Sequence, residues 1–173
     1  MITLLPPARE GRAGRVRRGA RRDALSACGK HELMPKRVLP KEAAALLSEG
    51  WAYLDVRSIP EFDEGHPAGA ANIPLMHAVN GRMSPNPDFK RVVEATFPKD
   101  AKIVVGCKMG GRSLQAATFM ESAGYTSVVD MRGGFAGERD GFGRASVTGW
   151  AAEGLPCEAT APPEKCYAAL SKK

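Results

Sequence analysis

Long hydrophobic runs are missing from this 173-residue chain. No stretch approaches the roughly 18 uninterrupted apolar residues that a bilayer-spanning helix needs, so a soluble protein with no membrane partner is expected. Aromatic residues are scarce, at 6%, which leaves a core to be built from Val, Ile, Leu, Ala and Met. Cysteine is limited to Cys28, Cys107, Cys157 and Cys166, with no C-x-x-C pair among them and no histidine at zinc-ligand spacing. No metal or other cofactor is therefore expected. No secretory signal with a basic and then an apolar region opens the chain, so free thiols in a reducing compartment, by default the cytoplasm, are expected. Internal repeats are absent as well.

What is present fits one α/β domain with tails: 43% of the residues are hydrophobic, enough for one core, with 19 Gly and 13 Pro to punctuate short elements. The formal charge of +6 would suggest an acidic partner if it lay on a folded body. It does not, since residues 1–37 hold ten Lys and Arg against three acidic residues, while the remaining 136 hold 15 against 16. A body without a basic stripe argues against nucleic acid. The arm of residues 1–36 has little apolar periodicity and is expected to be disordered. It reads as an organelle-targeting peptide, as an extension upstream of a start at Met34, or, least favoured, as a phosphate-binding tail.

Order is expected from Arg37. Pro40 then suits a first helical turn, and Lys41 to Glu49 reads as a helix stopped by Gly50. Trp51 to Val56 and Ala70 to Ile73 read as strands, with a helical turn between them around Pro60 to Glu64. Asn86 and Pro87 open a helix to about Phe97, whose Phe89, Val92 and Val93 fall at helical spacing. Lys102 to Gly106 reads as a fully buried central strand. A helix opened by Ser113 follows, with Leu114, Ala117, Phe119 and Met120 on its apolar face, then a strand from Thr126 to Asp130, repeated turns from Gly133, and a short closing helix at Trp150 to Gly154. Strands alternating with helices imply a mostly parallel sheet covered on both faces.

One constellation carries chemistry. A buried strand runs straight into Cys107, followed by Lys108, Met109, Gly110, Gly111, Arg112 and Ser113, a strand-loop-helix anion cradle with a nucleophile at its rim. Gly110 and Gly111 let backbone N–H groups approach an anion that a side chain would obstruct. The helix start adds about half a positive charge, and Lys108 and Arg112 add whole ones. Such surroundings favour the thiolate, the reactive form of cysteine. The alternative is a buried small apolar residue, the commonest fate of a free cysteine, and Gly-Gly-Arg-Ser directly after it would be unusual for a plain core turn.

Leu54-Asp55-Val56-Arg57, Glu61-Phe62 and Gly65-His66-Pro67-Ala68-Gly69-Ala70-Ala71-Asn72-Ile73-Pro74 resemble the first signature of rhodanese-like domains, and Ile103 to Ser113 resembles their active-site loop. The resemblance continues through Gly133-Gly134-Phe135 and Gly149 to Pro156, and gives a rhodanese domain at 37–157 with a C-terminal tail at 158–173. It implies a parallel sheet with helices on both faces, Cys107 as catalytic cysteine carrying a persulfide, a substrate cradle from Lys108 to Ser113, and Asp55, Arg57 and His66 as supporting residues. Asp55 and Arg57 orient the loop or cap a strand end, and His66 fixes a turn by hydrogen bonding rather than acting as a base.

The expected function is transfer of a sulfane sulfur from thiosulfate or a related donor to cyanide or a thiol, such as glutathione, thioredoxin or a protein cysteine. A non-catalytic interaction module is one alternative. A cysteine-dependent phosphatase is another, less favoured because related phosphatases place Arg after Cys-x5 whereas Cys107 and Arg112 form Cys-x4-Arg. Cys157 and Cys166 read as incidental thiols in preference to a sulfur relay, and residues 137–149 as an inserted loop near the active-site face.

Overall fold

A computed structural model describes residues 34–173. The arm expected at 1–36 therefore lies outside the described residues except for its last three, and of these Lys36 already belongs to the first strand. Five parallel strands form the sheet, in the order β1 (Lys36–Val38), β8 (Ser127–Met131), β7 (Lys102–Gly106), β2 (Ala52–Asp55), β4 (Ala71–Asn72). The connections are α1 (Pro40–Ser48), α2 (Ile59–Asp63), α3 (Phe89–Thr96) and α4 (Gly111–Ser122). Pro40 opens α1 at a position where its missing N–H costs nothing, and the Glu42 carboxylate accepts the Leu39 N–H at 2.7 Å.

Alternation along the central strands divides the core in two. Ile103 and Val105 of β7, with Leu54 of β2, face Phe89, Val92 and Val93 of α3 and Ala116, Ala117 and Met120 of α4. Val104 of β7 and Tyr53 of β2 point the other way, to Ala43 of α1, Phe62 of α2 and Trp150. Both faces of the sheet are thus covered, which is why its strands read as continuous apolar runs.

Several boundaries move. The helix expected from Pro87 starts at Phe89, because the Asn86 side chain makes a local turn, its Oδ1 accepting the Asp88 N–H at 3.0 Å while its Nδ2 donates to the Pro74 carbonyl. Trp150 to Gly154 is a turn and not a helix; the buried Trp150 ring is fixed by its Nε1–H, which donates to the Pro156 carbonyl at 2.9 Å. Two elements had no sequence signal. A hairpin of β5 (Met76–Val79) and β6 (Arg82–Pro85) follows β4, and segment 158–173 carries a short helix α5 (Tyr167–Leu170) whose Leu170 enters the core. Residues 137–149 form a second hairpin, β9 (Glu138–Arg139) with β10 (Ala145–Val147), beside the start of α1; it follows β8 at the carboxyl edge of the sheet but does not line the cleft described below. No described helix is long and apolar enough to cross a membrane.

Candidate active site

The end of β7 puts Cys107 at the carboxyl edge of a parallel sheet, where the connecting loops of such folds leave a crevice. Cys107 is 2% exposed, and the Gly110 N–H donates to its Sγ at 3.1 Å. Gly110 itself has a φ of +92°, a left-handed conformation that glycine adopts without strain. Gly111 has no such φ: it is the first residue of α4, and a Cβ added there would meet open space. Of the two glycines Gly111 lines the cleft described below, whereas a Cβ on Gly110 would point behind the loop, toward the Gly133 nitrogen and Arg37. The helix also starts two residues before Ser113, so Arg112 and Ser113 lie in its first turn.

A second glycine pair backs the loop. The Phe135 N–H donates to the Cys107 carbonyl at 2.7 Å and the Ala136 N–H to the Lys108 carbonyl at 2.8 Å. The chain approaches so closely that a Cβ on Gly134 would stand 2.5 Å from the Cys107 oxygen and 2.6 Å from Lys108 backbone atoms. Beneath Phe135 lies Arg57, its guanidinium carbon 4.3 Å from the ring centroid. Arg57 forks onto the Asp55 carboxylate, at 3.0 Å from Nε and 2.7 Å from Nη2 to Oδ2, and also donates to the Glu61 and Gly65 carbonyls, both at 2.8 Å. Asp55 and Arg57 are both buried. They form the charge pair and stand behind the loop, not in the cleft. His66 is equally structural in placement: buried, stacked on Phe62 with centroids 3.7 Å apart, its Nδ1 2.9 Å from the Phe62 carbonyl.

The cleft over Cys107 measures about 350 Å³ and is lined by Lys108, Met109, Gly111 and Arg112 of the loop and by Glu61, Met76 and Met83. Ser113 does not reach it. Its buried hydroxyl lies on the far side, near Asp130, without completing a hydrogen bond, while Arg37 holds the other Asp130 oxygen at 2.8 Å. Burial pushes the Asp130 carboxyl up, only partly offset by the Arg37 guanidinium.

Glu61, Met76 and Met83 are the site residues that sequence reasoning missed. Met76 and Met83 arrive on the β5–β6 hairpin, which has no periodic signal. Glu61 had one, since Ser58-Ile59-Pro60-Glu61 is a capping box, and the Ser58 N–H and hydroxyl donate to Glu61 Oε2 at 3.0 and 2.8 Å. The same carboxylate takes both arms of Arg112, at 2.7 and 2.9 Å, with Lys108 3.8 Å away. Arg112, expected to stand ready for an anionic donor, is instead held as half of an ion pair. Burial alone would raise the Glu61 pKa, but the hydrogen bonds from Arg112 and Ser58 outweigh it and hold it at about 2. A carboxylate lowered on folding stabilises the native state above its unfolded value near 4.5 and loses that contribution as pH falls toward 2. Glu61→Gln is accordingly expected to flatten the acid limb of the stability profile, read as denaturant midpoints between about pH 6 and about pH 3.

Comparison with known proteins agrees with this geometry. The model of the rhodanese-like domain matches residues 39–138. The chain is 40% identical over 126 residues to thiosulfate sulfurtransferase 16, chloroplastic, of Arabidopsis thaliana, covering 73% of this chain and 95% of that one. To the Arabidopsis protein HIGH ARSENIC CONTENT 1, mitochondrial, it is 39% identical over 93 residues, 54% of this chain and 55% of that protein. Among solved structures, the crystal structure of Rv0390 from M. tuberculosis superposes with a TM-score of 0.62 at 26% identity, over 73% of this chain and 99% of that one. The organellar names correct the cytoplasmic expectation, which rested only on the lack of a secretory signal and so could not separate the cytoplasm from an organelle interior. Motif order, parallel sheet, glycine-backed cysteine loop and family match converge: this chain belongs to the rhodanese-like domain family.

Proposed function

We propose that the protein is a sulfurtransferase that moves a sulfane sulfur through a persulfide on Cys107. The Cys107 thiolate attacks the outer sulfur of thiosulfate or a related donor; the S–S bond of the donor breaks and sulfite leaves with the electron pair. The terminal sulfur of the persulfide is then attacked by cyanide or a thiolate, such as glutathione, thioredoxin or a protein cysteine, and Cys107 regains its charge. The observation that carries this reading is the Gly110 N–H aimed at Sγ at 3.1 Å, a donor able to hold negative charge on the sulfur. Sulfurtransferase-named relatives support it. The experiment is intact mass after incubation with thiosulfate, followed by cyanide: gain of one sulfur at Cys107 and its release as thiocyanate are expected, and a protein that never loads would overturn the proposal.

Phosphatase chemistry is less well supported, because Arg112, the cation that would grip a tetrahedral oxyanion, is engaged by Glu61. Cys157 and Cys166 lie outside the cleft lining, on β11 (Cys157–Glu158), which pairs with β3 (His66–Pro67), and at the start of α5, and burial pushes both thiols up. An incidental role suits them better than a relay. An organellar location forms part of the proposal, with the Arg-rich residues 1–33 as the import signal. Uptake of the full chain by isolated plastids or mitochondria, lost when residues 1–33 are removed, is the expected result; equal uptake of both would refute that role.

A further inference from the structure

Two cations and one anion surround the mouth of the cleft, and their arrangement bears on which donor the site accepts. Arg112 offers both arms to Glu61, and Lys108 leans toward the same carboxylate at 3.8 Å with half its side chain exposed. Glu61 is 19% exposed and is held from its other side by the Ser58 N–H and hydroxyl, so it cannot swing away without uncapping α2. Apart from the Cys107 thiolate itself, Lys108 and Arg112 against Glu61 leave the mouth one net positive charge. The remaining wall is soft and apolar: Met76, Met83 and Met109, the last two 43% and 55% exposed. With one surplus cation facing the thiolate, such a site leaves the second charge of a dianionic donor uncompensated.

We infer that Glu61 is a specificity-determining positioning residue, which by neutralising Arg112 tunes the cleft toward singly charged sulfane donors with an apolar substituent and against dianions. This rests on the sulfurtransferase reading and assigns the donor class within it. Glu61 does not touch the transferred sulfur. It acts through the charge and position of Arg112, and the methionines receive the substituent that replaces an oxyanion.

A charge cycle with two donors tests this. Thiosulfate is a dianion; methanethiosulfonate presents the same outer sulfur, but a methyl group replaces one oxyanion, leaving one charge. In each case the thiolate takes the outer sulfur and the sulfite or methanesulfinate departs with the S–S electron pair. The readout is the ratio of kcat/KM for thiosulfate to that for methanethiosulfonate, with cyanide as common acceptor. Glu61→Gln raises the mouth charge by one and is expected to raise the ratio about tenfold, chiefly through KM for thiosulfate. Gln keeps an oxygen for the Ser58 cap, so α2 should survive the change. Arg112→Gln lowers the charge by one and is expected to lower the ratio about as much, and it provides the test should the first variant not fold. The double variant restores the original charge and is expected to return the ratio near its wild-type value. Single variants that change both donors by one factor, or a double variant that stays as displaced as either single one, would overturn the role of Glu61 while leaving sulfur transfer intact. Failure of every form to load sulfur would instead remove the reading on which it rests.

Discussion

Cys107→Ser is expected to abolish sulfur loading and to lower thiocyanate formation by at least about a thousandfold, because the step needs a sulfur nucleophile able to form and break an S–S bond. A serine alkoxide at this position would be unavailable at neutral pH, and no described residue lining the cleft besides Cys107 carries a thiol. The substitution is nearly isosteric. Serine still accepts from the Gly110 N–H, and the backbone bonds from Phe135 and Ala136 do not involve the side chain, so the fold should persist. Unchanged circular dichroism with no mass gain from thiosulfate is the expected pair of results; residual turnover at the wild-type rate would place the nucleophile elsewhere.

Arg57→Ala is expected to cost about 3–5 kcal/mol of stability, read from denaturant unfolding. The size follows from what is left behind. Asp55 is 1% exposed, and removing Arg57 strands its carboxylate without the fork that compensates it. The Glu61 and Gly65 carbonyls lose their donor, and the Phe135 ring loses the cation beneath it. Because Phe135 donates to the Cys107 carbonyl, sulfur loading should also fall in the fraction that remains folded. Arg57→Lys should recover only part of the loss, since an ammonium cannot reproduce the planar fork or reach both carbonyls at once. A loss below about 1 kcal/mol for Arg57→Ala would show that the buried pair is dispensable.

Relatives with chloroplastic and mitochondrial names share the domain, and the site residues described above lie between Asp55 and Ala136. Within that span, the elements nearest Cys107 were the most legible. Lys102 to Gly106 declared a buried strand by its uninterrupted apolar run, and Gly110 with Gly111 declared the loop after it, of which Gly110 takes the left-handed conformation. Gly111 shows that a glycine in a sequence records permission and not need: it opens α4 without a positive φ, and its Cβ position is open. The closing helix at Trp150 misled for a related reason, since helical composition over five residues is outweighed by a single side-chain bond from Trp150 to Pro156.

The sequence by itself determined the local frame: a strand that runs into a cysteine, a glycine-bearing loop after it, a helix after the loop, and a sheet buried on both faces. Each of these depends on backbone preference and side-chain period among adjacent residues, which a linear string records. Only the tertiary structure decided that Arg112 meets Glu61 across 51 residues, that Met76 and Met83 come over the sulfur on a hairpin, and that Arg37 reaches Asp130 across 93. Those pairings follow from the strand order β1-β8-β7-β2-β4, which brings the ends of distant strands to one edge. Charge separation along a chain carries no record of distance in space, so two cations that look free in the sequence become, once the sheet is assembled, one cation and one half of an ion pair.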